Sequence, residues 1–290
     1  MNKILFKLKS FDYVIILYSI ITAFIIIVGY NKLQNILSHL LIRFTFISIV
    51  FFLIYFESSK NRVLLFFRNF YPLLFLSFFY GETDYFNNLI FNNLDNILVN
   101  IDHLIFGLQP SLTFSEYFAS NWFSELMHFG YFSYYLFTIG IPLLFYIKKK
   151  QEFNKTMFII ISSFCAYYFL FIIFPSIGPQ FYFQPQKTIV PDGYLFDKIM
   201  HFILEFGETE TGAFPSSHIG LTVIFLILIW KNFKSYFTIL LIPAILLMFS
   251  TVYLKAHYAI DIFAGGISGY FLYEISSRLY ATVCNKIDDL

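Results

Sequence analysis

Charged side chains are scarce in this chain of 290 residues. Asp, Glu, Lys and Arg together make up 13% of it, about half the share typical of a soluble globular domain. Acidic and basic residues nearly balance, at 18 and 19, which leaves a formal charge of +1. A chain this close to neutral offers no basic surface for a polyanion. The composition therefore argues against a soluble domain, and we expect no nucleic-acid partner.

Cysteine is also rare, with two residues in the whole chain. Cys165 lies within an apolar run, whereas Cys284 lies in the polar C-terminal tail. Two thiols expected at different depths of a bilayer cannot reach the short Cα separation that a disulfide requires. We therefore expect neither a disulfide nor a cysteine-based metal site.

Apolar residues are what the chain has in abundance. Hydrophobic residues make up 58% of the sequence, which includes 42 Phe and 22 Tyr. A helix needs about 20 mainly apolar residues to cross the hydrocarbon core of a bilayer, and eight runs meet or approach this length. We therefore predict an all-α fold, a polytopic transmembrane helix bundle of about eight spans. Their approximate limits are 12–30, 39–56, 63–81, 122–147, 156–174, 216–231, 236–254 and 258–280.

The basic residues predict how these spans are oriented. With the N-terminus inside, most of the 19 Lys and Arg residues fall in cytoplasmic segments, as the positive-inside rule requires. Both termini are then cytoplasmic, and the long polar segments 82–121 and 175–215 lie on the outer side. We predict an integral membrane protein with its core at 63–290. Segment 1–62 would hold a cytoplasmic tail and two additional transmembrane helices.

Two smaller features accompany this topology. The stretch 89–108, in the first outer segment, is amphipathic and is predicted to lie flat in the membrane interface. Arg43 and Arg68 fall inside predicted spans. From there, their long side chains could reach opposite surfaces of the bilayer.

Two histidines lie at the predicted outer ends of spans. His257 precedes Asp261 by four residues, so both side chains project from one helical face, and the acid can orient the imidazole and stabilise its cation. His218 follows Ser216 and Ser217 at the start of the sixth span, where free N–H groups and the helix dipole favour an anion. If the two helices are neighbours, one histidine can attack a phosphoryl group while the other protonates the departing oxygen.

The segments around these histidines resemble a known family. Residues 212–218 read Gly-Ala-Phe-Pro-Ser-Ser-His, and residues 253–261 read Tyr-Leu-Lys-Ala-His-Tyr-Ala-Ile-Asp. With Gly265, they resemble the second and third signatures of the type 2 phosphatidic acid phosphatase superfamily. That resemblance implies a six-helix phosphatase-like core preceded by two extra N-terminal helices. Four further segments resemble the inositol phosphorylceramide synthase (aureobasidin-resistance) branch of the superfamily. They are 68–72, 102–110, 128–135 and 175–180.

The resemblance implies a role for each residue of the site. His257 would attack phosphorus and form a phosphohistidine, Asp261 would orient it, and His218 would act first as general acid and then as general base. Transfer to water makes the protein a phosphatase, and transfer to an alcohol makes it a phosphotransferase. The branch resemblance favours transfer of an inositol-phosphate-type head group between lipids. The alternative is a phosphatase of a lipid phosphate or a polyprenyl diphosphate.

The same resemblance implies the partners, and it implies that neither a metal nor another cofactor is needed. The side of the membrane follows from the predicted topology. The substrate would be a membrane phospholipid or lipid phosphate, and a transferase would also take a lipid alcohol as acceptor. The active site would open at the outer face, where both histidines are predicted to lie.

The chain departs from the superfamily's pattern at two positions where arginine is usual. These are Gln180, after the Gly-Pro of the first signature, and Thr251, six residues before the nucleophilic histidine. Phosphate needs cationic donors. We therefore expect Lys255 and, second, Lys187 to replace the arginines, although Lys255 could equally reach the interface as a snorkelling residue.

Four polar residues complete the predicted binding site. Ser216 and Ser217 are expected to bind phosphate, to cap the helix, or to do both, because the two roles use the same geometry. Gln180 is expected to contact the substrate. Asp102 either contacts the head group or stabilises a turn at the interface.

Two other function classes fit some of these residues. A transporter would line a pathway with charged residues near the bilayer midplane, whereas the ionisable cluster here is predicted at one outer edge. A metalloenzyme would use His218, His257 and Asp261 as a site of two histidines and one carboxylate. Sensitivity to a chelator would reveal it.

Overall fold

The computed structural model describes residues 8–185, 189–207 and 209–284, apart from the side chains of Ser58 and Phe206. All regular structure within these ranges is helical, so the all-α prediction is confirmed. The twelve α-helices, in chain order, are α1 (Ser10–Val28), α2 (Ile36–Leu53), α3 (Arg62–Gly81), α4 (Asp95–Phe106), α5 (Pro110–Tyr117), α6 (Asn121–Lys148), α7 (Lys150–Ile173), α8 (Pro179–Tyr182), α9 (Leu195–Gly207), α10 (Ser217–Asn232), α11 (Lys234–Tyr253) and α12 (Ala259–Leu279).

Among the described residues, six helices are long and apolar enough to cross a membrane, and the chain is an integral membrane protein. They lie where six of the eight spans were predicted. The helices at the other two predicted spans differ: α10 has 16 residues, and α12 has 21 residues but carries three charged side chains. The six apolar spans are Ser10–Val28, Ile36–Glu57, Arg62–Phe86, Asn121–Lys148, Lys150–Ile173 and Lys234–Tyr253.

Helix α7 is the centre of the bundle. In the apolar stretch by which α7 could cross the membrane, 72% of the residues are buried, whereas in the span that contains α2 this share is 11%. Helix α7 is therefore surrounded by protein, and α2 lies at the periphery. Helices α1, α3, α6, α10 and α12 all pack on α7. The outer helices remain apolar on their exposed faces, as at Leu17 and Phe24 of α1, because lipid covers those faces.

Close packing of α10 on α12 depends on glycines. A Cβ at Gly220 of α10 would overlap the Tyr167 hydroxyl, and one at Gly269 of α12 would overlap the Gly220 backbone. Small residues let helix backbones approach closely in membrane proteins. This contact brings together the two helix starts that carry His218 and Asp261.

Two buried arginines tie the N-terminal helices to α3 and its C-terminal end. Arg68 is fully buried and donates to both carboxylate oxygens of Asp12, at 2.9 and 2.5 Å. Arg43, 3% exposed, donates to Glu82. The expectation that Arg43 and Arg68 reach the membrane surfaces is therefore wrong. Acids at matched depth pair with both guanidinium groups, which would otherwise be costly to bury.

The two outer segments contain short helices, α4 and α5 in 82–121 and α8 and α9 in 175–215. Helix α4 lies within the stretch predicted to be amphipathic. Its polarity is inverted relative to a soluble helix, since Leu104 and Ile105 are exposed while Asp95 and Asp102 are buried. The acids support the site described below, and a flat position of α4 in the interface stays a prediction.

Candidate functional site

Two imidazoles meet where α10 and α12 begin. His218 is the second residue of α10, and His257 lies two residues before α12. His218 Nδ1 and His257 Nε2 are 3.1 Å apart, within hydrogen-bond distance. The structure thus places the two histidines side by side, although they are 39 positions apart in sequence.

His257 is held by partners on its other ring nitrogen. Nδ1 lies 2.6 Å from the carbonyl oxygen of Ala213 and 3.5 Å from Asp261 Oδ2. A carbonyl oxygen only accepts, so Nδ1 carries the proton and Nε2 keeps its lone pair. The backbone N–H of His257 also donates to the carbonyl of Thr251, at 3.0 Å. The nitrogen that faces His218 is therefore the one that keeps its lone pair.

Asp261 is fully buried beneath His257. Its Oδ2 accepts a hydrogen bond from the Tyr258 backbone N–H at 2.8 Å, which closes the first turn of α12. Oδ1 has no hydrogen-bond partner among the described residues. A carboxylate in this position favours a positively charged His257 ring.

The ring of His218 packs against two tyrosines. Its centroid lies 4.9 Å from that of Tyr131 and 4.3 Å from that of Tyr134. Because the two imidazoles are in direct contact, a phosphorus atom cannot lie between them in this arrangement. His257 is fixed through Nδ1, so we expect the His218 ring to move when substrate binds.

Asp95, at the start of α4, is a hydrogen-bond acceptor that holds the site together and that the sequence did not predict. Its carboxylate accepts from the Ser176 hydroxyl, the backbone N–H groups of Ile177 and Gly178, and the Tyr258 hydroxyl, at 2.9 to 3.1 Å. Burial and the neighbouring Asp95 charge raise the pKa of Tyr258. These bonds fasten segment 176–178 beside the loop that carries His257. The one signal in the sequence was an acid beside the apolar residues Leu94, Ile97 and Leu98.

Gly178 lets that segment pass close to the site. It has a φ of +87°, which glycine adopts without penalty. A Cβ there would also lie 2.9 Å from the Ala256 carbonyl oxygen and 3.2 Å from the Ala213 Cβ. Ala256 directly precedes His257 in sequence, and the Ala213 carbonyl forms a hydrogen bond with the His257 ring. A larger residue at 178 would therefore displace the histidine.

Asp102 caps the helix that carries Asp261. Its two carboxylate oxygens accept the backbone N–H groups of Ala259 and Ile260, each at 2.9 Å. Burial raises the pKa of Asp102, and these two hydrogen bonds partly offset the effect. The turn-stabilising alternative fits this geometry. A contact with the head group stays a prediction.

Lys255 directs its ammonium group toward α5. Nζ donates to the carbonyls of Ser111 and Leu112 at 2.9 and 3.3 Å, and to Ser115 Oγ at 2.8 Å. Burial lowers the pKa of Lys255 to about 8. At 1% exposure it does not snorkel, and its three contacts are on α5, so a phosphate-binding role stays a prediction. Lys187 lies outside the described residues.

The remaining predicted ligands lie around the histidines. Ser216 is fully buried and caps α10, since its Oγ accepts from the Ile219 N–H at 3.4 Å. Ser217 and Gln180 line the cavity at the His pair. The Gln180 backbone N–H donates to the carbonyl of Lys255 at 3.0 Å.

Two cavities share His218 in their walls. A small one of about 30 Å³ is lined by both histidines; it has room for about one water. An apolar one of about 310 Å³ extends between α3, α6, α7 and α9. His218, Ser217, Tyr80 and Tyr131 line both cavities. The site therefore combines a small polar space with a larger apolar one inside the bundle.

The geometry weighs against one metal ion bound by His218, His257 and Asp261 together. His218 faces Nε2 of His257, whereas Asp261 faces Nδ1 on the other side of the ring. A single ion cannot be reached by donors on opposite sides of an imidazole.

Comparisons with known proteins identify the family to which the chain is similar. The family model described as "PAP2 superfamily" matches residues 97–273, more than half of the chain. A PA-phosphatase related-family protein of Dictyostelium discoideum is 24% identical over 182 residues, which cover 55% of this chain and 33% of the relative. The chain thus matches about a third of the length of that relative. No solved structure matches.

Proposed function

The chain belongs to the PAP2 superfamily, and from this premise we propose that it is a membrane lipid phosphotransferase that works through a phosphohistidine on His257. The coarser assignment, a lipid phosphatase or phosphotransferase, rests on the family. The residue roles and the acceptor are the proposal. A transporter is disfavoured because the family is one of enzymes.

The observation that carries the proposal is the histidine pair. A nucleophile and a proton donor must both reach one phosphoryl group. His257 Nε2 and His218 Nδ1 are 3.1 Å apart, and in our proposal the His218 ring rotates to admit phosphate between them. Ala213 and Asp261 hold His257 Nδ1 meanwhile, so the attacking nitrogen keeps its direction.

The reaction proceeds in two displacements. His257 Nε2 attacks phosphorus, the bond to the leaving oxygen breaks, and the His218 imidazolium gives that oxygen a proton. His218 is then neutral and takes a proton from the acceptor hydroxyl. The acceptor oxygen attacks phosphorus, and the P–N bond breaks to free His257. Asp261 stabilises the positive charge that His257 carries while its Nε2 bears phosphate.

The apolar cavity fits the lipid part of the substrate. Its volume of about 310 Å³ and its lining of Leu, Ile, Phe and Tyr side chains suit an alkyl chain. Because His218 and Ser217 belong to its wall, a chain bound there would present its phosphate to the histidines. The enzyme therefore takes a substrate from the bilayer rather than a soluble phosphate ester.

The proposed reaction transfers a phospho-head group of the inositol-phosphate type to a lipid alcohol. Segments 68–72, 102–110, 128–135 and 175–180, which resemble the inositol phosphorylceramide synthase branch, support this choice. The alternative is hydrolysis of a lipid phosphate or polyprenyl diphosphate. The similarity to the Dictyostelium relative, a PA-phosphatase related-family protein, favours this alternative. We place both termini in the cytoplasm and the site at the outer face, on the distribution of lysine and arginine.

Purified protein with ³²P-labelled phospholipid, with and without a ceramide-like acceptor, tests the proposal. We expect label in a new lipid only when the acceptor is present. Label in free phosphate under both conditions would replace the transferase with the phosphatase. His257→Ala is expected to give neither product, whereas the matched control His103→Ala, which alters an exposed histidine of α4, is expected to behave as wild type. Turnover by His257→Ala would contradict both versions.

A further inference from the structure

A second cluster of histidines lies outside the site described above. His128 of α6 and Asp197 and His201 of α9 bring one donor atom each to within 4.8 Å of one another. We propose that these three residues bind one divalent transition-metal ion, with Zn²⁺ as the best fit. The site does not depend on the proposed function.

The central observation is a buried carboxylate oxygen between two imidazoles. Asp197 is 8% exposed, and its Oδ1 has no hydrogen-bond partner among the described residues. The same oxygen lies 3.2 Å from His128 Nε2 and 2.8 Å from His201 Nδ1. Donor atoms around a tetrahedral Zn²⁺ lie about 3.3 Å apart, given bonds of about 2.0 to 2.2 Å. The spacing therefore suits a shared ion.

The tautomer of His128 also supports a bound ion. Its Nδ1 lies 2.8 Å from the carbonyl oxygen of Ser124, an acceptor, so Nδ1 carries the proton. In the neutral ring, Nε2 then presents a lone pair toward a carboxylate that also has only lone pairs. An ion between them removes this repulsion. Metal-binding histidines usually donate the other ring N–H to a carbonyl in this way.

The protein holds the ligands in place without the ion. Glu125, one turn before His128 on α6, accepts the backbone N–H groups of residues 194, 195, 196 and 197 at 2.7 to 3.3 Å. This fixes the start of α9 against α6. Asp197 Oδ2 accepts the Gly193 N–H at 3.0 Å, which leaves Oδ1 for the ion. Only His201, whose side chain is 76% exposed, must adjust. Its Nδ1 lies 2.9 Å from the Asp197 carbonyl oxygen, and it would give up that hydrogen bond and its proton to bind the ion.

The surroundings favour a cation with an open coordination position. The three ligands line a cavity of about 680 Å³, whose described lining includes Asp192 and Glu205 but no Lys or Arg. Three protein ligands leave a fourth position of Zn²⁺ for water or an oxyanion. Gln180 lines both this cavity and the small one at the His pair. The ion would therefore add positive charge beside a site in which glutamine replaces a usual arginine.

Metal stoichiometry of the untagged full chain in detergent tests the site. Protein is stripped with EDTA, incubated with Zn²⁺, desalted and analysed by elemental mass spectrometry. We expect one Zn²⁺ per wild-type chain and none in His201→Ala, whose exposed side chain can be removed without unfolding the protein. Asp197→Asn, which preserves shape, is also expected to bind none. Co²⁺ in place of Zn²⁺ is expected to give the visible bands of a four-coordinate ion.

Two controls separate this site from the histidine pair. His103→Ala and His257→Ala are both expected to keep one Zn²⁺ per chain. Wild-type protein without Zn²⁺, or His201→Ala with a full equivalent, would overturn the proposal and reduce the cluster to an imidazolium–carboxylate ion pair. Loss of Zn²⁺ in His257→Ala would overturn it too, because the ion would then be at the other site. No substrate is used, so these outcomes leave the phosphohistidine proposal untouched.

Discussion

The two nitrogens of the His257 ring have different surroundings, and the proposed chemistry follows from that difference. Nδ1 faces two acceptors, the Ala213 carbonyl and Asp261, whereas Nε2 faces His218. The proton is thereby kept on the side away from the substrate. A histidine without such partners would distribute its proton over both nitrogens and be a poorer nucleophile.

Replacing members of this group is expected to stop turnover without unfolding the protein. His257→Ala and His218→Ala should each lower kcat by roughly 10⁴-fold, and Asp261→Asn by about 10²- to 10⁴-fold. Asn keeps an acceptor for the Tyr258 N–H, so the first turn of α12 should survive. Initial rates on a lipid phosphate measure the loss, with the thermal midpoint in detergent as the folding control. A wild-type rate in either histidine variant would refute the assigned roles.

Burial of Lys255 predicts a pH dependence of stability. Its pKa is lowered to about 8 in the folded protein, against about 10.4 in an unfolded chain. Between these values the unfolded state binds the extra proton, so stability should rise with pH across this window. We expect the thermal midpoint of wild type to rise relative to that of Lys255→Met between pH 7.5 and 10. Parallel curves for the two proteins would show that the buried ammonium has no such effect.

The sequence predicted His218, His257 and Asp261 from their spacing and from helix starts, because those signals are local. It did not predict the acceptor role of the Ala213 carbonyl, which depends on a contact 44 positions away. Asp95 and Asp102 were equally hard to assign. Four of their six partners are backbone N–H groups of distant segments, and a backbone donor leaves no mark in the sequence.

At the scale of helices, the site depends on the close contact between α10 and α12. Gly269 lies against the backbone of Gly220, and Gly265 against the Ser216 carbonyl oxygen, where a Cβ would approach to 2.5 Å. Helices that carry the two halves of a site must keep a fixed separation for the chemistry to proceed. The glycines provide that separation.

Gly269→Ala is expected to push α12 away from α10 and reduce activity at least tenfold, with a stability loss of about 1 to 3 kcal/mol. Gly266→Ala is a matched control on the same helix, because a Cβ at Gly266 meets nothing within 4 Å. Initial rates and thermal midpoints of the two variants should be compared with wild type. Equal behaviour of Gly269→Ala and Gly266→Ala would contradict the proposed role of the contact.

Most helices could be predicted because long apolar runs have few alternatives in a bilayer. The first and last residues of the helices in the outer segments could not be predicted, because α4, α5 and α9 are short and are stabilised by tertiary contacts. The pairing of Arg68 with Asp12 was also missed. Two charges 56 positions apart show no pattern that indicates their contact.

For the whole molecule, the orientation in the membrane stays a prediction. The division of the chain after residue 62, into two additional N-terminal helices and a core, also stays a prediction. Both native cysteines are buried, so an introduced cysteine should dominate labelling by an impermeant thiol reagent. We expect Gln184→Cys to react in intact cells. Lys150→Cys, at the exposed start of α7, should react only after the cells are opened. The reverse pattern would place the site on the cytoplasmic side.

The most direct test of the central claim is to find the phosphoryl group on the protein during turnover. Wild-type protein is mixed with ³²P-labelled lipid phosphate, quenched in alkali within one turnover, and digested. We predict acid-labile, alkali-stable label on the peptide that contains His257, and none on that peptide from His257→Gln. Label on a different peptide, or product formation with no labelled peptide at times shorter than one turnover, would contradict the account.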